Sequence, residues 1–174
     1  MAKVAFTKLG LKANQDKTIV KFNEQDIEVE QYLPINEKLA LISRVLNQSA
    51  DENNFANPIK IDVYLTLEIL FAYTNINFTD KQKEDITKLF DLVTSSGLMD
   101  VIFPAIPQSE YEALAYGVKT SADAIYAYKN SVMGLLEAIS TDYSNLDMDA
   151  TQIQQKLADP ENMELLRNVL TKLG

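Results

Sequence analysis

The chain has 174 residues, contains no Cys, His or Trp, and carries 25 acidic against 16 basic side chains, for a net charge of −9. The missing residue types exclude a disulfide framework, a thiolate nucleophile, a Ser-His-Asp or Cys-His constellation and any imidazole or thiolate metal site. Hydrophobic residues at 47% and charged residues at 24% are the proportions of an ordinary globular protein, and the length favours a single domain over 1–174.

The N-terminal region is β-like. Lys17-Thr18-Ile19-Val20-Lys21-Phe22 is β-branched and aromatic, Asn23-Glu24-Gln25-Asp26 reads as a turn, and Ile27-Glu28-Val29-Glu30 alternates apolar with acidic. This predicts a hairpin with a loop of about four residues, within an element spanning 1–33, with Val4 and Phe6 placed to add a short third strand. A lone hairpin is marginal in water and has to pack on something else.

From residue 34 to 174 the pattern is that of a helical bundle. Leu39, Ile42, Val45 and Leu46 make an apolar stripe after Pro34, stopping near Asn47. Asn57-Pro58 combines an N-cap with Pro at the first helical position. Ile59–Tyr73 is apolar nearly all round and predicts the central buried helix. Thr79-Asp80-Lys81-Gln82 fits a capping box opening a helix with Ile86, Leu89, Phe90 and Val93 inward, and Gly97 as its C′ residue. Leu98–Phe103 is a short apolar segment closed by Pro104 and Pro107. Residues 108–140 carry a further helical stripe through Tyr111, Leu114, Val118, Ile125 and Met133. As one helix it would span about 50 Å, so Gly117 and Thr120–Asp123 are the expected break. Asp149 and Asp159-Pro160 mark later helix starts, and the last helix uses Met163, Leu166, Leu170 and Leu173. The fold class is therefore mainly α, a bundle of five to seven helices with a small N-terminal antiparallel β-hairpin.

Chemistry-bearing motifs are scarce. Neither G-x-x-x-x-G-K-[ST] nor G-x-G-x-x-G occurs, and no cofactor is expected. Residues 145–149 (NLDMD) alternate oxygen ligands as a calcium loop begins, but Ala150 stands where the turn needs Gly and Lys156 where it needs Glu, so no metal is expected either. Carboxylate pairs such as Asp91 with Asp100, or Glu24 with Asp26, lack an apolar setting that would separate their pKa values. These readings point away from an enzyme and leave no catalytic residue to name. No apolar run is long and uncharged enough to span a bilayer, and Met1–Gly10 has no apolar h-region, so the expectation is a cytoplasmic protein.

Charge is uneven. Residues 1–21 hold five Lys against one acid, Asp16, a net of +4, leaving −13 on the other 153 residues. An acidic body with two Arg, Arg44 and Arg167, argues against nucleic acid as a partner. The Lys-rich start, with Lys17 and Lys21, has two readings: a solvated edge strand whose lysines discourage pairing, or a basic arm that docks on an acidic partner or another copy. Tyr116 and Tyr128 lie off the apolar stripe of their segment and are candidate interface residues. Leu166 and Leu170 belong to a terminal stripe that docks either on its own core or in a partner's groove.

KTIVKFNEQDIEVEQYLPINEKLALISRVL (17–46) resembles the opening of small tail assembly chaperones of phages and prophages of low-GC Gram-positive bacteria: a hairpin framing FNEQDIEV, then a Leu-Pro step into an amphipathic helix. The resemblance covers about 30 residues and carries over no functional residue. It implies a non-enzymatic assembly factor of the bacterial host's cytoplasm, or a related virion component, binding the tape-measure or tail-tube protein before polymerisation, with self-association as a further expectation. The alternative reading is a phage-encoded acidic inhibitor of a host nucleic-acid-binding or defence protein. Against it, the acids are dispersed rather than set along one ridge.

Overall fold

A computed structural model describes residues 3–52, 55–131, 133, 134 and 136. It is mainly helical, with a small antiparallel two-stranded hairpin at the N-terminus, as the sequence predicts. In chain order the described elements are β1 (Lys17–Phe22), β2 (Gln25–Glu30), α1 (Ile35–Ser49), α2 (Pro58–Tyr73), α3 (Asp80–Glu84), α4 (Ile86–Ser95), α5 (Leu98–Ile102) and α6 (Gln108–Lys129). The chain groups into two compact units, 1–127 and 128–174.

The hairpin turns in two residues rather than four. Asn23 and Glu24 both adopt positive φ (47° and 64°), the pairing whose twist matches the flanking strands, so Phe22 faces Gln25 and Val20 faces Ile27. Side chains alternate across the sheet. Ile27 and Val29 are buried with Val20 and Phe22 packed beside them. On the other face Lys17, Ile19 and Lys21 stand opposite Glu30, Glu28 and Asp26. The far edge of β2 is closed by a bridge from Val29 to Thr74, with Asn75 exchanging hydrogen bonds with Glu28. No third strand forms at Val4 and Phe6: Phe6–Leu9 is a single 3₁₀ turn ended by Gly10 at φ 61°. Among the described residues β1 keeps an open edge, marked by lysines as natural edges are.

α2 is the central element. The Asn57 side chain accepts from the N–H groups of Ile59 and Lys60, and Leu65, Leu67, Ile69, Leu70 and Tyr73 are buried. Its first turn is not: Ile59 lies exposed, one turn short of the core. α1 packs along α2. The buried line on α1 is Leu41, Val45 and Ser49, an i, i+4, i+8 row. Leu39, expected in the stripe, is exposed, whereas Ile42 and Leu46 are half-buried.

Thr79 and Gln82 form the predicted capping box, but the helix it opens is broken at Asp85 (φ −106°, ψ 75°), whose carboxylate accepts from Lys88 N–H and starts α4 afresh. Asp competes with the helical backbone in this way. Leu89 and Val93 are buried as expected, and Gly97 (φ 78°) carries the chain out of α4 into α5. α6 is continuous through Gly117 and Thr120–Asp123, against the expected break. Gly117 is there for packing. A Cβ at that position would lie 2.6 Å from Ile42 Cδ1, so the missing side chain lets α6 approach α1. Helical structure instead stops at Asn130-Ser131, in the second unit, where Ser131 N–H and Oγ both donate to the Tyr128 carbonyl and Gly134 N–H donates to Ser131 Oγ.

Candidate functional site

Two constellations stand out in the first unit, one polar and buried, the other apolar and open. The polar one centres on Glu110, in the first turn of α6. Its Oε2 accepts from Leu33 N–H at 3.1 Å and from the Tyr73 hydroxyl at 2.9 Å, and its Oε1 accepts from Lys38 Nζ at 2.6 Å. Lys38 Nζ also sits 4.4 Å from the Tyr32 ring centre, a cation–π distance. Burial pushes the Glu110 carboxyl up, but the hydrogen bonds from Lys38, Leu33 and Tyr73 outweigh it and hold the group below its usual range. Tyr73 is pushed far above its usual value by burial first and by the neighbouring carboxylate second. Each partner of Glu110 belongs to the fold itself, one each from the segment entering α1, from α1 and from α2. A second buried acid, Glu68 on α2, is answered by Arg44 of α1, whose Nε and Nη2 both lie 2.8 Å from Oε2. The sequence signal for both acids is their position. Glu110, Leu114 and Val118 form one i, i+4, i+8 row, and Glu68 interrupts the apolar run of α2.

The open constellation is a groove of about 630 Å³ between the N-terminal half of α2 and the length of α6 from Tyr111 to Tyr126. Ile61, Leu65, Ala115, Val118 and Ala122 line its depth. Phe55, Tyr111 and Tyr126 contribute rings, and Asp62, Lys119 and Asp123 stand at its polar margin. Phe55 and Tyr126 stack tilted at 5.6 Å between centroids. Tyr111 meets Phe103 edge-on at 5.6 Å. Lys119 pairs with Asp123 one turn further along α6. Apolar concavity with few polar groups is the composition of a binding site for an apolar ligand or side chains.

Those of the residues singled out from sequence that are described are not gathered in this groove. Tyr116 is 72% exposed on α6, and it is absent from the groove lining, which takes Ala115 and Lys119 on either side of it. Tyr128 lies exposed in the second unit. Leu166, Leu170 and the 145–149 run lie outside the described residues. Lys17 bonds Glu28 and Glu30, each at 3.0 Å, and these partners raise its ammonium above the ordinary lysine value, Glu30 most. Lys21 sits 3.9 Å from Asp26. Both strand lysines are thus answered within their own hairpin, in keeping with the edge-strand reading. The groove residues that sequence reasoning passed over, Phe55 and Ile61 above all, carry no local signal: Phe55 falls in a polar loop, and Ile61 reads as one more apolar residue of α2.

No protein-family model, no curated protein and no solved structure matches this chain.

Proposed function

We propose that the chain is a non-enzymatic protein-binding factor that receives an apolar helical segment of a partner in the groove between α2 and α6. The observation that carries this reading is the groove: an open apolar concavity of about 630 Å³ with a floor of Ile61, Leu65 and Val118. Apolar i, i+3, i+4, i+7 anchors of an amphipathic helix are the side chains such a trough accommodates. The acidic body adds solubility and steers cationic partners. The resemblance of residues 17–46 to tail assembly chaperones supplies the setting, phage morphogenesis, and the partner, a tape-measure or tail-tube protein whose apolar surface is kept from aggregating before assembly.

Co-expression tests this directly. The wild-type chain should raise the soluble fraction of a co-expressed phage tape-measure protein, and Ala122→Arg, which places a long cation in the groove at a half-buried helical position, should abolish the gain while keeping the wild-type helical circular dichroism. No gain with the wild type sinks the assembly setting. A full gain with the folded Ala122→Arg variant removes the groove as the binding site.

A further inference from the structure

Lys3 to Asp16 precede the hairpin, and each of these fourteen residues is exposed. That is unusual for a segment holding Val4, Phe6, Leu9 and Leu11, of which Phe6 is 74% and Leu11 67% exposed. One 3₁₀ turn, closed by Lys8 N–H to the Ala5 carbonyl at 3.0 Å, is its helical structure. Isolated exposed apolar residues are ordinary, but four within eight positions form a patch that invites cover. The same stretch carries Lys3, Lys8 and Lys12 and a single acid, Asp16. It is a cationic, apolar arm joined to an acidic body.

We infer that this arm binds a second copy of the chain, with Phe6 and its apolar neighbours entering the groove between α2 and α6 of that copy. Three observations select this occupant. The arm's own groove does not bury it, because Val4, Phe6, Leu9 and Leu11 all stand open to solvent in their own copy. Charge is complementary: Lys3 to Asp16 hold three lysines against one acid, a net of +2, on a chain whose total is −9, and since Lys119 is paired with Asp123, the net charge of the described residues at the groove margin is that of Asp62. Reach is sufficient, because fourteen residues extend to about 45 Å. Exchange of arms between two copies closes the assembly as a two-fold dimer. The inference rests on the groove being a docking site, as proposed above, and adds a regulatory consequence. Arm and client compete for one apolar trough, so the self-associated form protects it until a client displaces the arm.

Sedimentation equilibrium on the full-length chain over a dilution series is the test. Wild type should pass from dimer to monomer on dilution, at higher concentration in high salt because the arm's lysines meet an acidic surface. Phe6→Asp with Leu11→Asp should weaken the dimer about ten-thousandfold, as expected for four large apolar side chains, two from each exchanged arm, removed from an interface, with an unchanged melting temperature at concentrations where the wild type is monomeric, since both are exposed in the single copy. Mixing that arm variant, which retains its groove, with Ala122→Arg, which retains its arm, should restore association between the two. A single-copy mass at all concentrations overturns the inference, as does self-association that the arm variant leaves untouched. An arm variant that is monomeric yet still solubilises the tape-measure protein supports it and upholds the groove reading too. Arm-dependent self-association abolished by Ala122→Arg, alongside undiminished client solubilisation, upholds the arm and removes the client from the groove.

Discussion

Single atoms decide two features of the core. At Gly117 the absent Cβ leaves room for Ile42 Cδ1, which would otherwise lie at 2.6 Å. Gly117→Ala gains helix propensity of about 1 kcal/mol but forces the tip of Ile42 aside. The net result expected is a loss of about 1 kcal/mol. Ile42→Val removes Cδ1, so in the Gly117→Ala background it should cost less than it does alone, a coupling measurable by urea denaturation in a double-mutant cycle. Ser49 is the converse. It is fully buried in α1 and its Oγ has no hydrogen-bond partner, while its backbone carbonyl accepts from Asn57 N–H. Ser49→Ala keeps that backbone bond and discards an unsatisfied hydroxyl, so the urea midpoint should rise, by about 1 kcal/mol in stability. A lowered midpoint would show that the hydroxyl is satisfied in solution. Neither residue announces itself in the sequence, where Gly117 reads as a helix breaker and Ser49 lies past the expected stop of its helix near Asn47.

At the scale of elements, local signals were legible wherever the backbone supplies the reason. Asn57, Thr79 with Gln82, and Gly97 cap or close helices as predicted, because a cap depends on residues within one turn. The hairpin was legible as a hairpin, but its turn was read too long. Glu24 takes a left-handed conformation that a β-carbon disfavours, and pattern reading assigns such a residue to an open loop. Glu24→Gly gives the Asn-Gly pair that this turn prefers and should stabilise the protein by about 1 kcal/mol, read as a higher denaturation midpoint. A drop in the midpoint would mean that the turn is not of this type. Packing relations were less legible. Leu39 and Leu41 are equivalent as sequence, and which one faces inward depends on where α2 lies against α1.

For the whole molecule, the Glu110 network sets the pH range of stability, because it joins the segment entering α1 to α1, α2 and α6. Glu110 has a lowered pKa in the folded state, so its contribution is complete above the ordinary value of 4.5 and is lost as the pH falls below that value. Tyr73 has a raised pKa, so its contribution is complete below the ordinary value of 10.0 and is lost as the pH climbs above it. Melting temperatures should therefore form a plateau between the two limits. Glu110→Gln should lower the plateau, by about 3 kcal/mol for a broken buried pair, and should flatten the acid limb. An acid limb of unchanged steepness in that variant would assign acid unfolding to other carboxylates. The sequence showed Glu110 as one of 25 acids, with only its place in the 110, 114, 118 row to mark it.

The same division runs through the protein. The amino-acid sequence by itself determined the helical class, the N-terminal hairpin, the caps and the polarity of charge, since each follows from residues near one another in the chain or from composition. The tertiary structure alone decided that α6 runs unbroken past Gly117, that Lys17 is neutralised across its own hairpin, that Glu110 meets Lys38 and Tyr73, and that Phe55, Ile61 and Val118 line one groove. Those outcomes depend on contacts between residues tens of positions apart, where the energy of burial and pairing is set by which surfaces meet, and no local pattern specifies that choice.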